Sequence, residues 1–435
     1  MKTIWFHLMS YPNLPANFPA EHRSVWIDID PKLFDPSVGH RMYNEYISQL
    51  EFAASVGFDG IGVNEHHSNA YGMMPSPNLV ASTLARSCKD AAILVLGDSV
   101  ALYNPAIRVA EELAFIDCVS GGRVIAGFPV GSPMDTAFAY GQNPALLREK
   151  YHEGLDLIRR AWTEDQVFSF NGKYNKLRYV NCWPRPVQKP TPPIWIPGGS
   201  SIDTWEWCAR EQHVYLFLSY FGYKAAKATM SGYWNKMKEL GNEPNPYAAG
   251  FVQFVGVADT EKEALELYRE PAEYFFNRSL HVHPGFSDPP GYKTVKSVRA
   301  GVEGMVERAA REAAARAAQP AQQQQKGTYS GFKTLTFEEM VEKGYVIVGD
   351  PDQVAERLKQ VAIELNVGRM IMLCQFGNMS DQLTRYNTET MAKKVLPQIR
   401  GLFDEQWEDR WWINPISKQS VGSAAAPQLK KVVSA

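Results

Sequence analysis

Asn64, Glu65, His66 and His67 stand in a row directly after Gly57-Phe58-Asp59-Gly60-Ile61-Gly62-Val63. Imidazole titrates near neutrality and moves protons at ordinary pH. A neighbouring carboxylate fixes its tautomer and favours its charged form. The short, β-branched run Ile61 to Val63, bracketed by glycines, reads as a buried parallel strand. Its carboxyl end therefore delivers one carboxylate and two imidazoles together, at the edge of an α/β sheet where ligands bind. If the strand geometry continues, Glu65 and His67 share one side and His66 faces the other; a turn at Asn64 would change that. His66, Glu65 and His67 are the candidate catalytic groups.

Three further strand ends carry polar or glycine-rich residues. Pro197-Gly198-Gly199-Ser200-Ser201 follows the strand Pro193 to Ile196, with Thr204 one turn into the next helix. Glycines let a ligand approach the backbone, and amides at a helix start bind anions. The pattern reads as a phosphate cradle of the barrel type, without the lysine of a nucleotide P-loop, or as an ordinary Ser-capped helix entry. Leu96-Gly97-Asp98-Ser99 could offer Asp98 or Ser99 to a polar ring edge. Phe128-Pro129-Val130-Gly131-Ser132 is a fourth strand end opened by glycine. His281 and His283, at i, i+2, could share a divalent metal. They stand beside prolines with no HExxH or clustered carboxylates, so no metal site is expected.

The elements that must position these residues alternate. Candidate strands are Ile4–Leu8, Gly60–Val63, Ala92–Leu96, Arg123–Gly127, Pro193–Ile196, Val214–Leu218, Phe251–Val257 and Arg369–Leu373, mostly separated by helical patterns. That alternation predicts a (β/α)8 TIM barrel over residues 1–403, since no glycine fingerprint of a doubly wound sheet follows the first strand. Gln166 to Lys189 reads as a small hairpin and an extended connection on the barrel's exterior. A long insertion, about 259–345, holds an Ala/Glu/Arg helix over Val302–Ala318 and a Gln322–Gln325 run. It would act as a lid if it sits at the catalytic mouth. Residues 404–435 form an arm with Trp407, Trp411 and Trp412, packed on a partner or on the barrel wall, and a frayed tail.

The bulk properties exclude several classes. With a net charge of −2 the chain does not favour nucleic acid or an anionic membrane surface. No apolar run approaches the ~18 residues of a membrane span, and no stretch has the form of a secretory signal. Five scattered cysteines without CxxC argue for reduced thiols in the cytoplasm. Tyr11, Phe18, Trp26 and Phe34 in the first loop, with Tyr220-Phe221, predict an apolar pocket.

In combination and order, these motifs resemble the bacterial luciferase-like family of flavin-dependent monooxygenases. The match runs from Gly57-Phe58-Asp59 and Glu65-His66-His67 through Pro75-Ser76-Pro77, Asn104-Pro105 with Arg108-Val109-Ala110-Glu111-Glu112, and Asp117 to Arg123. It continues in Pro193 to Ser201, Gly349-Asp350-Pro351 and Lys394-Val395-Leu396-Pro397. The resemblance implies a TIM barrel that takes reduced FMN from a partner flavin reductase. Oxygen then adds to give a C(4a)-peroxyflavin, which oxygenates a small to medium organic substrate. It implies proton control by His66, with Glu65 and His67 orienting it or contacting the flavin edge, and phosphate binding at the Gly198-Gly199-Ser200-Ser201 turn, beside Thr204. A non-proline cis bond against the flavin ring would lie somewhere within Leu96 to Ser99, with Gly97, Asp98 and Ser99 as candidate flavin contacts. Luciferase has an Arg-Gly pair after the fourth strand, where this chain has Val130-Gly131; Arg148 could compensate, with Tyr151 beside it on the same predicted helix. A homodimer is expected. Two alternatives remain: hydride transfer with a deazaflavin on the same barrel, and a catalytically silent flavin-binding subunit.

Overall fold

The computed structural model describes residues 1–300, 302 and 334–416. Eleven strands occur among them: β1 (Lys2–Phe6), β2 (Gly60–Val63), β3 (Ala92–Leu96), β4 (Val124–Gly127), β5 (Phe168–Asn171), β6 (Lys176–Val180), β7 (Ile194–Gly198), β8 (Val214–Phe217), β9 (Ala249–Val257), β10 (Val346–Gly349) and β11 (Arg369–Leu373). Strands β1 to β4, β7 to β9 and β11 pair in parallel and close, because β9 bonds to β8 on one side and β11 on the other. The fold is the expected TIM barrel. Barrel strands such as Ala92–Leu96 and Arg369–Leu373 are buried along their whole length. Their near-continuous apolar composition follows from having helices outside and a packed core inside.

Local chemistry ends the helices where the barrel needs them to end. Asp35 caps the helix Pro36–Val56 by accepting from Ser37 N and Val38 N, and Gly57 at φ 109° closes it and turns the chain toward β2. Asp350 and Gln353 form a capping box that starts the helix Pro351–Leu365, with proline at its first position. The helices Leu147–Thr163 and Ile202–Glu211 bring Arg148 and Thr204 to the barrel's carboxyl rim.

Several boundaries differ from the sequence reading. The first strand is Lys2–Phe6, and His7 and Leu8 lie beyond its end. Strand β10 was not expected. It is only four residues long and pairs with the outer half of β9, whose nine residues run past the barrel wall. β5 and β6 form the expected antiparallel hairpin. The expected Val302–Ala318 helix and Gln322–Gln325 run lie outside the described residues, apart from Val302.

The described part of the arm packs on the barrel wall. Arg369, at the start of β11, is wholly buried and makes two hydrogen bonds to Asp409, of 2.6 and 3.0 Å. Its guanidinium lies 4.4 Å from the Trp195 ring and 5.7 Å from the Trp412 ring. This closes the amino end of the barrel, away from the rim where β2, β3, β4 and β7 deliver polar residues. No helix among the described residues is long and apolar enough to cross a membrane.

Candidate functional site

The carboxyl rim opens into a cavity of about 670 Å³. Asn64, Glu65 and His66 line it after β2, Gly97 and Ser99 after β3, and Val130 and Gly131 after β4. Gly198, Gly199, Ser200 and Ser201 come from the end of β7, with Thr204 and Arg148 behind them. Tyr292, Lys293 and Ser297 of the insertion line the same cavity. They are tied down by hydrogen bonds from Tyr292 Oη to Gly131 O (2.8 Å) and from Ser297 Oγ to Asp203 Oδ2 (2.8 Å).

His66 is held by a residue that the sequence did not single out. Its Nδ1 lies 2.8 Å from Asp135 Oδ2, while Asp135 Oδ1 accepts from His67 N (2.8 Å) and Trp26 Nε1 (3.0 Å). A carboxylate only accepts, so Nδ1 carries the hydrogen. The opposite ring nitrogen, Nε2, makes no hydrogen bond to a described residue, and the side chain borders the cavity. Trp26 and Tyr71 pack edge-on to the imidazole, each with ring centroids 5.0 Å away. Asp135 sits in the π-helical turn Met134–Ala139, which has no amphipathic repeat to betray it.

Glu65 and His67 pair with each other on the other side, as the alternating geometry predicts. His67 Nε2 donates to Glu65 Oε1 at 3.1 Å, and Ser99 N donates to Glu65 Oε2 at 2.6 Å. His67 Nδ1 accepts from Tyr140 Oη at 3.3 Å. Only Glu65 of the two borders the cavity; His67 lies behind it.

The Leu96–Gly97 peptide bond is cis, within the segment where the resemblance put one. A Cβ at Gly97 would lie 1.9 Å from Gly127 O, so the close approach of these two strand ends requires glycine.

At the β7 end, Arg148 Nη2 donates to Ser201 Oγ at 2.9 Å and Nη1 to Thr204 Oγ1 at 3.3 Å. Its Nε is buried with no partner among the described residues. Ser201 stands at the N-cap of Ile202–Glu211 but makes no side-chain cap bond. The first amides of this helix are therefore not capped by that hydroxyl, and a Cβ on Gly199 would meet only open space. Asn64 is similar: both polar atoms of its buried side chain lack partners among the described residues, although it borders the cavity.

Two expected cofactor contacts do not reach the cavity. Tyr151 is fully buried, and its hydroxyl donates to Phe128 O at 2.8 Å, bracing the end of β4. Asp98 is likewise fully buried, turned away toward Asn78 and Tyr103. His281 and His283 each have a separate hydrogen-bond partner. His281 Nε2 lies 3.0 Å from His22 O, and His283 Nδ1 accepts from Gly285 N. Among the described residues no three His, Cys, Asp or Glu are grouped to hold a metal ion.

A second chamber of about 1140 Å³ adjoins the first and shares His66, Ser132 and Tyr220 with it. Trp26, Tyr71, Met134, Tyr274 and Phe276 give it aromatic and apolar walls. Tyr71 Oη and Tyr220 Oη meet at 2.5 Å. Of the aromatics expected to make an apolar pocket, Trp26, Tyr220 and Phe221 line this chamber. Tyr11 and Phe18 are core residues, and Phe34 is half-exposed against Tyr11.

Comparison with known proteins agrees with the barrel fold. The family model described as luciferase-like monooxygenase matches residues 31–367. An FMNH2-dependent dimethylsulfone monooxygenase of Pseudomonas putida is 28% identical over 403 residues, covering 89% of this chain and 92% of that protein. An uncharacterised protein of Sinorhizobium fredii is 31% identical over 162 residues, 36% of this chain and 46% of that protein. The alignments with several such relatives thus span about half of their length. In three dimensions, the oxygenating constituent of 3,6-diketocamphane monooxygenase from P. putida, solved with FMN, superposes with a TM-score of 0.65. It is 19% identical, with 92% of this chain and 99% of that chain covered.

Proposed function

Because the chain belongs to the luciferase-like monooxygenase family, we propose that it is an oxygenase component. It takes reduced FMN from a separate flavin reductase and uses O2 to oxygenate a small to medium organic molecule. The observation that carries this reading is one cavity bordered both by a basic, hydroxyl-rich cradle at Arg148 and by an imidazole backed by a buried carboxylate.

The residues fit the cofactor. Arg148, Ser200, Ser201 and Thr204 would hold the phosphate, using a guanidinium whose Nε has no other partner. The orphaned Asn64 amide, with Gly97, Ser99, Val130 and Gly131, would meet the ring system. Reduced FMN supplies the electrons that activate O2. His66 Nε2 accepts or returns a proton at the cavity, and Asp135 keeps that nitrogen free by holding the hydrogen on Nδ1. Trp26, Tyr71 and Phe276 keep water away from the neighbouring chamber, which would take the organic substrate. In the Tyr71–Tyr220 pair one hydroxyl hydrogen is used between the rings, which leaves the other to orient a substrate acceptor.

Anaerobic titration with oxidised and reduced FMN tests the reading. A strong preference for the reduced form is expected; no binding of either form would refute it. Anaerobic turnover with a reduced deazaflavin, and none with reduced FMN plus O2, would assign hydride transfer instead. Flavin binding without oxygenation across a broad substrate panel would indicate a silent subunit, a role that needs no Asp135-backed imidazole.

A further inference from the structure

Behind the cavity wall lies a carboxyl pair that proton handling at His66 leaves unused. Asp98 is fully buried and Glu65 nearly so. The Tyr103 hydroxyl stands between them, 3.1 Å from Glu65 Oε1 and 3.3 Å from Asp98 Oδ1. One hydroxyl has one hydrogen and cannot donate fully to both carboxyls.

The two carboxyls are not equally supplied. Glu65 accepts from Ser99 N and His67 Nε2 as well as from Tyr103. Asp98 Oδ1 accepts from Asn78 Nδ2 at 2.9 Å, and Asp98 Oδ2 has no partner among the described residues. No Lys or Arg forms an ion pair with Asp98 among them. The same Asn78 nitrogen also meets Glu112 Oε2 at 2.9 Å, so a third carboxylate approaches; Glu112 is itself paired with Arg108. Burial, followed by the charges of Glu65 and Glu112, pushes the Asp98 carboxyl well above its ordinary range. Burial likewise raises the Tyr103 hydroxyl, which stays protonated.

We propose that Asp98 is held as the neutral acid and forms, through Tyr103, a proton relay that supplies Glu65 at the cavity wall. With its hydrogen on Oδ1, Asp98 donates to Tyr103 and Tyr103 donates to Glu65, giving one continuous chain. When the relay fires, the Asp98 and Tyr103 O–H bonds break while Tyr103 O–H and Glu65 O–H bonds form. One proton moves toward the cavity, one negative charge retreats to Asp98, and no electron changes hands. An anionic ligand beside Glu65 drives the transfer, because it repels the charge that the relay removes. Asn78 orients Asp98 but does not conduct, since amide hydrogens are not acidic. Asp98 and Tyr103 are thus positioning residues that act through Glu65.

Infrared spectroscopy of the flavin-free protein near neutral pH tests the relay independently of the proposed function. The expected spectrum has a protonated-carboxyl C=O band that shifts when aspartate carboxyls are labelled with 13C. The band disappears in Asp98→Asn and persists in Tyr103→Phe. After transfer to D2O, the buried Asp98 proton exchanges by way of Tyr103 and Glu65, so Tyr103→Phe slows the band's isotope shift at least tenfold. Absence of the band in the wild type, its survival in Asp98→Asn, or unchanged exchange in Tyr103→Phe would each overturn the proposal. Should Asp98→Asn fail to fold, the labelled wild type and Tyr103→Phe still decide it. Reduced FMN failing to bind would count against the proposed function and not against this relay.

Discussion

Replacing Asp135 by Asn separates the two things this carboxylate does. The Asn oxygen can keep the Oδ1 contacts with His67 N and Trp26 Nε1, at 2.8 and 3.0 Å in the native site. Its amide nitrogen then takes the place of Oδ2, 2.8 Å from His66 Nδ1. Two N–H groups cannot face each other there, so His66 must move its hydrogen to Nε2 and accept at Nδ1. A charge-assisted hydrogen bond of about 1.5–3 kcal/mol is replaced by a neutral one of about 1 kcal/mol. The expected loss of stability is therefore only about 0.5–2 kcal/mol, measurable by urea unfolding. The catalytic loss is larger, because Nε2 now presents a hydrogen to the cavity where the native nitrogen has a lone pair. General acid–base catalysis contributes about 10²–10⁴-fold, or about 3–5 kcal/mol of barrier. Two assays read it. Nitrogen-15 NMR of the imidazoles should show the His66 hydrogen on Nδ1 in the native protein and on Nε2 in Asp135→Asn. Turnover with a flavin reductase, on a substrate found by screening, should lose about 10²-fold or more in product and release peroxide instead, with reduced-FMN affinity within about threefold. An unchanged tautomer, or unchanged product per reduced flavin, would refute the reasoning.

Four other outcomes follow from the same contacts. Arg148→Gln should weaken reduced FMN by about 10–100-fold in anaerobic titration, the size of a lost charged hydrogen bond, and leave reduced riboflavin unaffected because it has no phosphate. Equal losses for both would remove the phosphate from Arg148. Asn64→Leu removes two buried atoms without partners, so it should keep or raise stability by up to about 1 kcal/mol while weakening flavin binding; tighter binding would contradict the assignment. His7 is pushed down to about 3 by burial, against an ordinary value of 6.5. The unfolded chain therefore binds more protons between those pH values, and stability falls as pH drops through that window, by at most about 1.4 kcal/mol per pH unit for one imidazole. In urea melts His7→Gln should flatten that slope by up to one proton, and an identical slope would refute the burial argument. Asp409→Ala strands the buried Arg369 guanidinium and should cost about 3–5 kcal/mol in denaturant melts, with flavin affinity unchanged because the pair lies at the barrel's amino end.

What the sequence could and could not reveal divides along a physical line. The barrel was legible because each strand carries its own signal: a buried β-branched run, then glycine or a polar residue where the chain leaves the sheet. The strand ends Asn64–His66, Gly97–Ser99 and Gly198–Ser201 were found for that reason. Strand β10 was not, because four residues beside a long insertion give no period and its partner is the outer half of β9. Asp135 was missed because its role exists only across 69 residues of chain, in a π-helical turn without an apolar stripe. Arg148 was recognised only as compensation for a missing family residue, and the structure brings it to Ser201 and Thr204. Tyr151, three residues further on, was expected beside it. Three residues along a helix share a face, but the first turn meets the rim while the next packs beneath Phe128. Periodicity assigns a face, not a depth.

The two adjoining chambers differ in the polar groups that line them. A buried polar atom without a partner costs about 1–3 kcal/mol, a loss that a ligand bound beside it can repay. Asn64 and Arg148 Nε are such atoms, and both belong to the first cavity. In the second chamber the Tyr71 and Tyr220 hydroxyls share one hydrogen bond, and Trp26 Nε1 is taken by Asp135. On the proposed reading the first cavity takes the polar, anionic flavin and the second a largely apolar substrate. His66 borders both, with its hydrogen held on the Asp135 side. Its free nitrogen can therefore serve the boundary between two ligands, which is where an oxygen-transfer reaction needs its proton controlled.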